Sequence, residues 1–165
     1  MSASELQFSV ELPAAPGRVF AALTEAQGLK HWLCDACESE PRVNGRLALR
    51  WNRPADAAKG SPSSPGTRHQ DPPPAGAGPF VARWVEFLPP LRAAFQGGNP
   101  NYPAGDAGTV WFSLVAEGSG TRLEVRHAWP ASADYAAHAE VWRSAWPRAL
   151  ERLARHVAAD SESAA

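Results

Sequence analysis

Leu12-Pro13-Ala14-Ala15-Pro16-Gly17-Arg18-Val19-Phe20-Ala21-Ala22-Leu23-Thr24, closing at Leu29-Lys30-His31-Trp32-Leu33, is the stretch on which the fold of this chain turns. The residues before it alternate, with Leu6, Phe8, Val10 and Leu12 apolar and Glu5, Gln7, Ser9 and Glu11 polar, the period of a strand with one buried face. Pro13 stops that strand, and Pro16 stands where a helix begins and a missing N–H is no loss. Val19, Phe20 and Leu23 then share one helical face; Gly28 is expected to break the helix, and Leu29, Trp32 and Leu33 form a second short apolar turn. The chain thus opens as a strand feeding two short helices.

Further along, Val43-Asn44-Gly45-Arg46 predicts a type I′ hairpin, because Asn-Gly supplies positive φ at both central positions. The strand after it, 46–51, points Leu47, Leu49 and Trp51 to one side. Residues 52–78 are rich in proline, glycine and serine without periodicity, and predict a flexible surface loop. A strand over 80–88 ends at Pro89-Pro90, a short strand covers 91–95, and 96–108 reads as a second irregular loop. Residues 109–116 and 121–128 predict a hairpin around Gly118-Ser119-Gly120. In it Val110, Phe112 and Leu114 face inward with Leu123, Val125 and His127, and Trp111 faces outward. From about Asp134 the chain is helical, with Trp142, Trp146, Leu150, Leu153 and Val157 on one face. Pro147 predicts a kink or a break near Ala145-Trp146, and the tail from about 160 is expected to be disordered.

At 165 residues this is one expected domain, residues 1–165. Sixteen Lys and Arg against 17 Asp and Glu leave a net charge of −1, and the arginines are scattered among acids, so no nucleic-acid partner is expected. No apolar run is long enough for membrane insertion, and the N-terminus has no charged segment leading into an apolar one, so a cytoplasmic location is expected. Seven tryptophans are the compositional outlier; they suit either an amphipathic cavity or an aromatic-rich core.

The order strand, two short helices, six strands, long helix resembles the SRPBCC or START-like superfamily, whose fold is a helix grip. Within it the chain is most similar to the bacterial homologues of the activator of heat-shock protein 90 ATPase. The resemblance is carried by Pro16-Gly17-Arg18-Val19-Phe20-Ala21-Ala22-Leu23-Thr24 with Trp32. Gly120-Thr121-Arg122-Leu123 with His127, and Ala145-Trp146-Pro147 with Leu150 and Leu153, add to it. It implies an α+β fold with a curved antiparallel sheet of about six or seven strands wrapped around a long C-terminal helix. It also implies an apolar cavity between the two. Some relatives bind lipids or hormones, some cyclise polyketides, and the eukaryotic namesake stimulates a chaperone ATPase; the fold does not choose among these.

The expected function is therefore non-catalytic binding of a small hydrophobic molecule. The expected lining is Trp32, Leu49, Trp51, Trp84, Phe87, Phe112, Leu114, His127, Trp129, Trp142 and Trp146, with Trp84 and Trp129 undecided in direction. Two alternatives stand beside it, a polyketide-cyclase-like enzyme that would use Glu86, Tyr102 and Asp106 at the cavity mouth, and a chaperone-associated protein. No nucleophilic triad, phosphate loop or paired carboxylates appear, so no catalytic residue and no cofactor is assigned. Cys34-Asp35-Ala36-Cys37 has C-x-x-C spacing but no second ligand pair, and reads as two buried thiols rather than a metal or redox site. A homodimer and the identity of any protein partner stay open at this stage.

Overall fold

In the computed structural model, which describes residues 4–50, 80–98, 108–129 and 133–164, the alternating N-terminal segment forms β1 (Ser4–Leu12). Two short helices follow, α1 (Pro16–Thr24) and α2 (Ala26–Trp32), then β2 (Ala36–Ser39), β3 (Arg46–Arg50), β4 (Phe80–Leu88) and β5 (Arg92–Gly98). The chain continues through β6 (Thr109–Glu117) and β7 (Gly120–Trp129) to the long helix α3 (Ala133–Ala164). All seven strands form one antiparallel sheet in the order β1-β7-β6-β5-β4-β3-β2. Trp51 and residues 52–78 lie outside the described residues, as does most of the predicted second loop.

The sheet brings the first strand against the last. Leu6, Phe8 and Val10 stand opposite His127, Val125 and Leu123, so the inward faces of β1 and β7 coincide. Across β6, Val110 pairs with His127, Phe112 with Val125 and Leu114 with Leu123, and all six side chains are buried, as the hairpin reading predicts. Trp111 turns to the outer face, where the Arg126 guanidinium lies 4.0 Å from its ring. Thr121 closes the seam between β1 and β7: its hydroxyl donates to the Ala14 carbonyl at 2.7 Å, fully buried. Thr121→Val keeps the shape and strands that carbonyl, so thermal or urea unfolding should show a loss of about 1–3 kcal/mol.

Gly28 does not break the first helix. The break falls at Glu25, which is extended (φ −91°, ψ 145°), and Gly28 lies inside α2. Its role is close approach, since a Cβ there would sit 2.5 Å from the Ala22 Cα of α1. The end of α1 is capped from outside the helix. The Trp32 indole donates to Ala22 O at 2.8 Å and the Ser39 hydroxyl to Thr24 O at 2.6 Å, satisfying carbonyls that a helix end leaves open.

The Asn-Gly turn also differs from its prediction. Asn44 is at φ 66°, but β2 and β3 are joined by residues 40–45 rather than by two, and Gly45 does not share the positive φ that a type I′ turn requires. Gly45 is needed because a Cβ would meet Glu40 O at 2.0 Å. Asn44 and Gly45 instead bond the backbone of Trp84, carrying the turn onto β4.

In β4 the register shifts between Trp84 and Glu86, leaving Val85 as the extra residue of a bulge. This lets Trp84 and Phe87, three apart, both face inward, where their rings meet edge to face at 5.6 Å. β5 continues past Phe95 to Gly98, further than the sequence suggests.

α3 packs on β1, α1 and α2, burying Trp142, Ala145, Trp146, Ala149, Leu150, Leu153 and Val157. It is one helix through Pro147, not two, and its backbone remains helical beyond Asp160 to Ala164. No described helix is long and apolar enough to cross a membrane.

Candidate ligand site beneath the terminal helix

β7 alternation aims His127 and Trp129 at the inner face, and α3 presents Trp142 and Trp146 to them from successive turns. His127 is 3% exposed. Its ring lies 3.8 Å from that of Trp129 and 5.3 Å from that of Trp142, and the Trp146 indole N–H donates to its Nδ1 at 3.0 Å. An Nδ1 that accepts carries no proton, so the proton of a neutral ring sits on Nε2. Its partner at Nδ1 is thus an indole from the helix that covers it.

Around that hydrogen bond is a void of about 10 Å³, bounded by Leu33, Leu49, Phe80, Phe95, Val110, His127, Trp142 and Trp146. That is room for about one water-sized sphere, whereas a cavity that takes benzene measures on the order of 150 Å³. Among the described residues, the space beneath the terminal helix is therefore closed where the resemblance implies an open cavity. Of the expected lining, Leu49, His127, Trp142 and Trp146 border the void. Trp32 and Phe112 are packed against Trp146 with ring centroids 6.4 Å away, and Trp84 against Phe87 and Phe95 at 5.6 Å. Leu114 is buried in the same core, Trp129 lies on His127, and Trp51 falls outside the described residues.

Leu33, Phe80, Phe95 and Val110 were missed as lining. Period 2 along Phe80, Ala82 and Trp84 was enough to place Phe80 on the inner face. Phe95 depended on its pairing with Trp84, which alternation alone does not reveal.

Of the three groups named for a cyclase, Glu86 alone lies among the described residues. Glu86 is on the outer face, 3.6 Å from Arg92, beside the shallow hollow around Trp111 and Arg126. Tyr102 and Asp106 lie outside the described residues. Among the described residues His127 is the one polar side chain bordering the void, and no three His, Cys, Asp or Glu side chains gather as metal ligands.

The family profile described as Activator of Hsp90 ATPase homolog 1-like protein matches residues 13–158. The chain belongs to that family. No curated protein matches it in sequence. Solved structures share the fold at low identity. Protein NE0264 from Nitrosomonas europaea superposes with a TM-score of 0.72 at 18% identity, covering 96% of each chain. The Aha1 dimer from Colwellia psychrerythraea gives 0.67 at 18%, over 93% of this chain and 95% of that one. An HSP90 activator from Plasmodium falciparum gives 0.63 at 18%, over 91% and 93%. The α+β helix grip of this chain is thus shared along nearly its whole length.

Proposed function

We propose that this protein binds a small hydrophobic or aromatic molecule, without transforming it, between the sheet and the first half of α3. The observation that supports this reading is the hydrogen bond from Trp146 to His127 at the edge of the void. The one polar group of an otherwise apolar pocket wall is held by a side chain that moves with the covering helix. A guest carrying a polar atom takes over His127 when Trp142 and Trp146 withdraw. Binding then selects an opened state, and the apparent affinity is the intrinsic one reduced by the fraction of molecules that are open.

Native mass spectrometry of the purified chain, with tryptophan fluorescence on titration with indole or a medium-chain fatty acid, tests this. The expected result is a saturable, one-to-one change in emission, weakened at least tenfold in His127→Phe for guests with a polar atom. A linear, non-saturating response in the wild-type chain would sink the reading. By likeness to the Colwellia dimer, a homodimer is part of the same proposal, checked by sedimentation. The HSP90-activator role of the Plasmodium neighbour is separated by one comparison: stimulation of a chaperone ATPase would be unaffected by occupancy beneath α3.

A further inference from the structure

Cys34 and Cys37 stand on either side of the bend that leads from α2 into β2, the edge strand of the sheet. Cys34 is fully buried, its Sγ donating to Leu29 O at 3.6 Å. Cys37 is half-buried on β2, opposite Leu49. Three residues apart across this bend, the two thiols are close enough to perturb each other's ionisation. Their environments are unequal. The interaction with Cys37, followed by burial, raises the Cys34 pKa well above the ordinary thiol value. The same interaction lowers that of Cys37, and the Lys30 ammonium acts in the same direction against partial burial. Among the described residues no third ligand joins the pair, which leaves thiol chemistry rather than a metal cluster.

We propose that Cys34 and Cys37 form a dithiol–disulfide switch, in which the more accessible Cys37 captures a small-molecule disulfide and the buried Cys34 resolves the adduct into an internal bond. In the first step the Cys37 thiolate attacks one sulfur of a disulfide RSSR, forming a mixed disulfide and releasing RS⁻, which takes up a proton. In the second, the Cys34 sulfur attacks Cys37 Sγ and its proton passes to the departing RS⁻, which leaves as RSH. The sum is one RSSR reduced to two RSH and two protein thiols oxidised to one disulfide. The nucleophile is the thiol that a reagent can reach, and the resolving thiol is the buried one three residues before it, an order that follows from their burial. Leu33, next to Cys34 in the chain, and Leu49, opposite Cys37 on β3, both border the void beneath α3, so the new bond is made beside the candidate ligand site.

The test treats the reduced full-length protein with oxidised glutathione near neutral pH, followed by acid quenching, maleimide trapping and intact-mass measurement. The expected product is a monomer lighter by two hydrogens that takes no maleimide and is restored by dithiothreitol, with a peptide map joining Cys34 to Cys37. In Cys34→Ser the reaction stops at one glutathione on Cys37. In Cys37→Ser the remaining Cys34 reacts at least ~10-fold more slowly than Cys37 did. A glutathione adduct that persists on wild-type Cys37, a cross-linked dimer, or thiols that stay unmodified until denaturant is added each overturn the switch. A measurement without variants guards against misfolding: timed alkylation of the wild-type chain with iodoacetamide, mapped by residue. Cys37 is expected to react first and to remain reactive below the ordinary thiol range; equal rates at the two positions overturn the proposal.

Discussion

Trp146→Ala should destabilise the fold by about 3–5 kcal/mol, the loss usual for a buried aromatic cut back to a methyl. Three effects combine at this side chain. Its ring contacts Trp32, Phe112 and Trp142, and it is 1% exposed, so its removal takes away a wall shared by α2, β6 and α3. Its loss leaves the buried His127 Nδ1 without that donor. The emptied space joins the existing void to make a cavity on the order of 150 Å³, a size that accepts a benzene-sized guest. Thermal unfolding should fall by roughly 6–20 °C, and indole should restore part of it, by about 2.7 kcal/mol at a hundredfold excess over its dissociation constant. A loss below ~1 kcal/mol, or no rescue by indole, would mean that the helix collapses onto the sheet when the ring is gone.

Trp32→Ala should cost about as much, roughly 3–5 kcal/mol, by a different route. Trp32 has no exposed surface and joins three elements. Its indole caps Ala22 O of α1, its ring meets Phe112 of β6 edge to face, and its own carbonyl accepts from Arg152 Nε of α3 at 2.9 Å. Truncation opens the core and frees the end of α1 together. Trp32→Phe separates the two contributions: it keeps most of the packing and orphans the Ala22 carbonyl, so about 1–3 kcal/mol is expected from that alone. Urea unfolding of both variants checks the division. Equal losses would assign the whole effect to the hydrogen bond.

Much of this architecture is written in short-range pattern. The alternation from Glu5 to Leu12 and the inward set Val110, Phe112, Leu114 against Leu123, Val125, His127 needed only period 2. The spacing of Trp142, Trp146, Leu150, Leu153 and Val157 named the buried face of α3. What pattern did not carry was distance between elements. Glycine at 28 is a helix breaker by propensity, yet here it is the place where α2 lies on α1, which only the tertiary contact reveals. Arg152, which is not part of the apolar set on α3, reaches across to the Trp32 carbonyl because a long stem lets a charged head leave its own face. The site shows the same limit: the sequence reports which side of an element is apolar, not whether the facing side chains leave a gap or interlock.

The pairing of β1 with β7 has a consequence in time. Leu12 meets Thr121 and Ser4 meets Trp129, so the strand made first must find a partner made last. At ~5–20 residues per second of synthesis, β1 waits on the order of ten seconds with Leu6, Phe8, Val10 and Leu12 uncovered. Refolding of the complete chain pays the same entropy of closing a long loop and belongs in the slow, millisecond-to-second class. The nascent protein is therefore most exposed to misassociation before its own final third has left the ribosome.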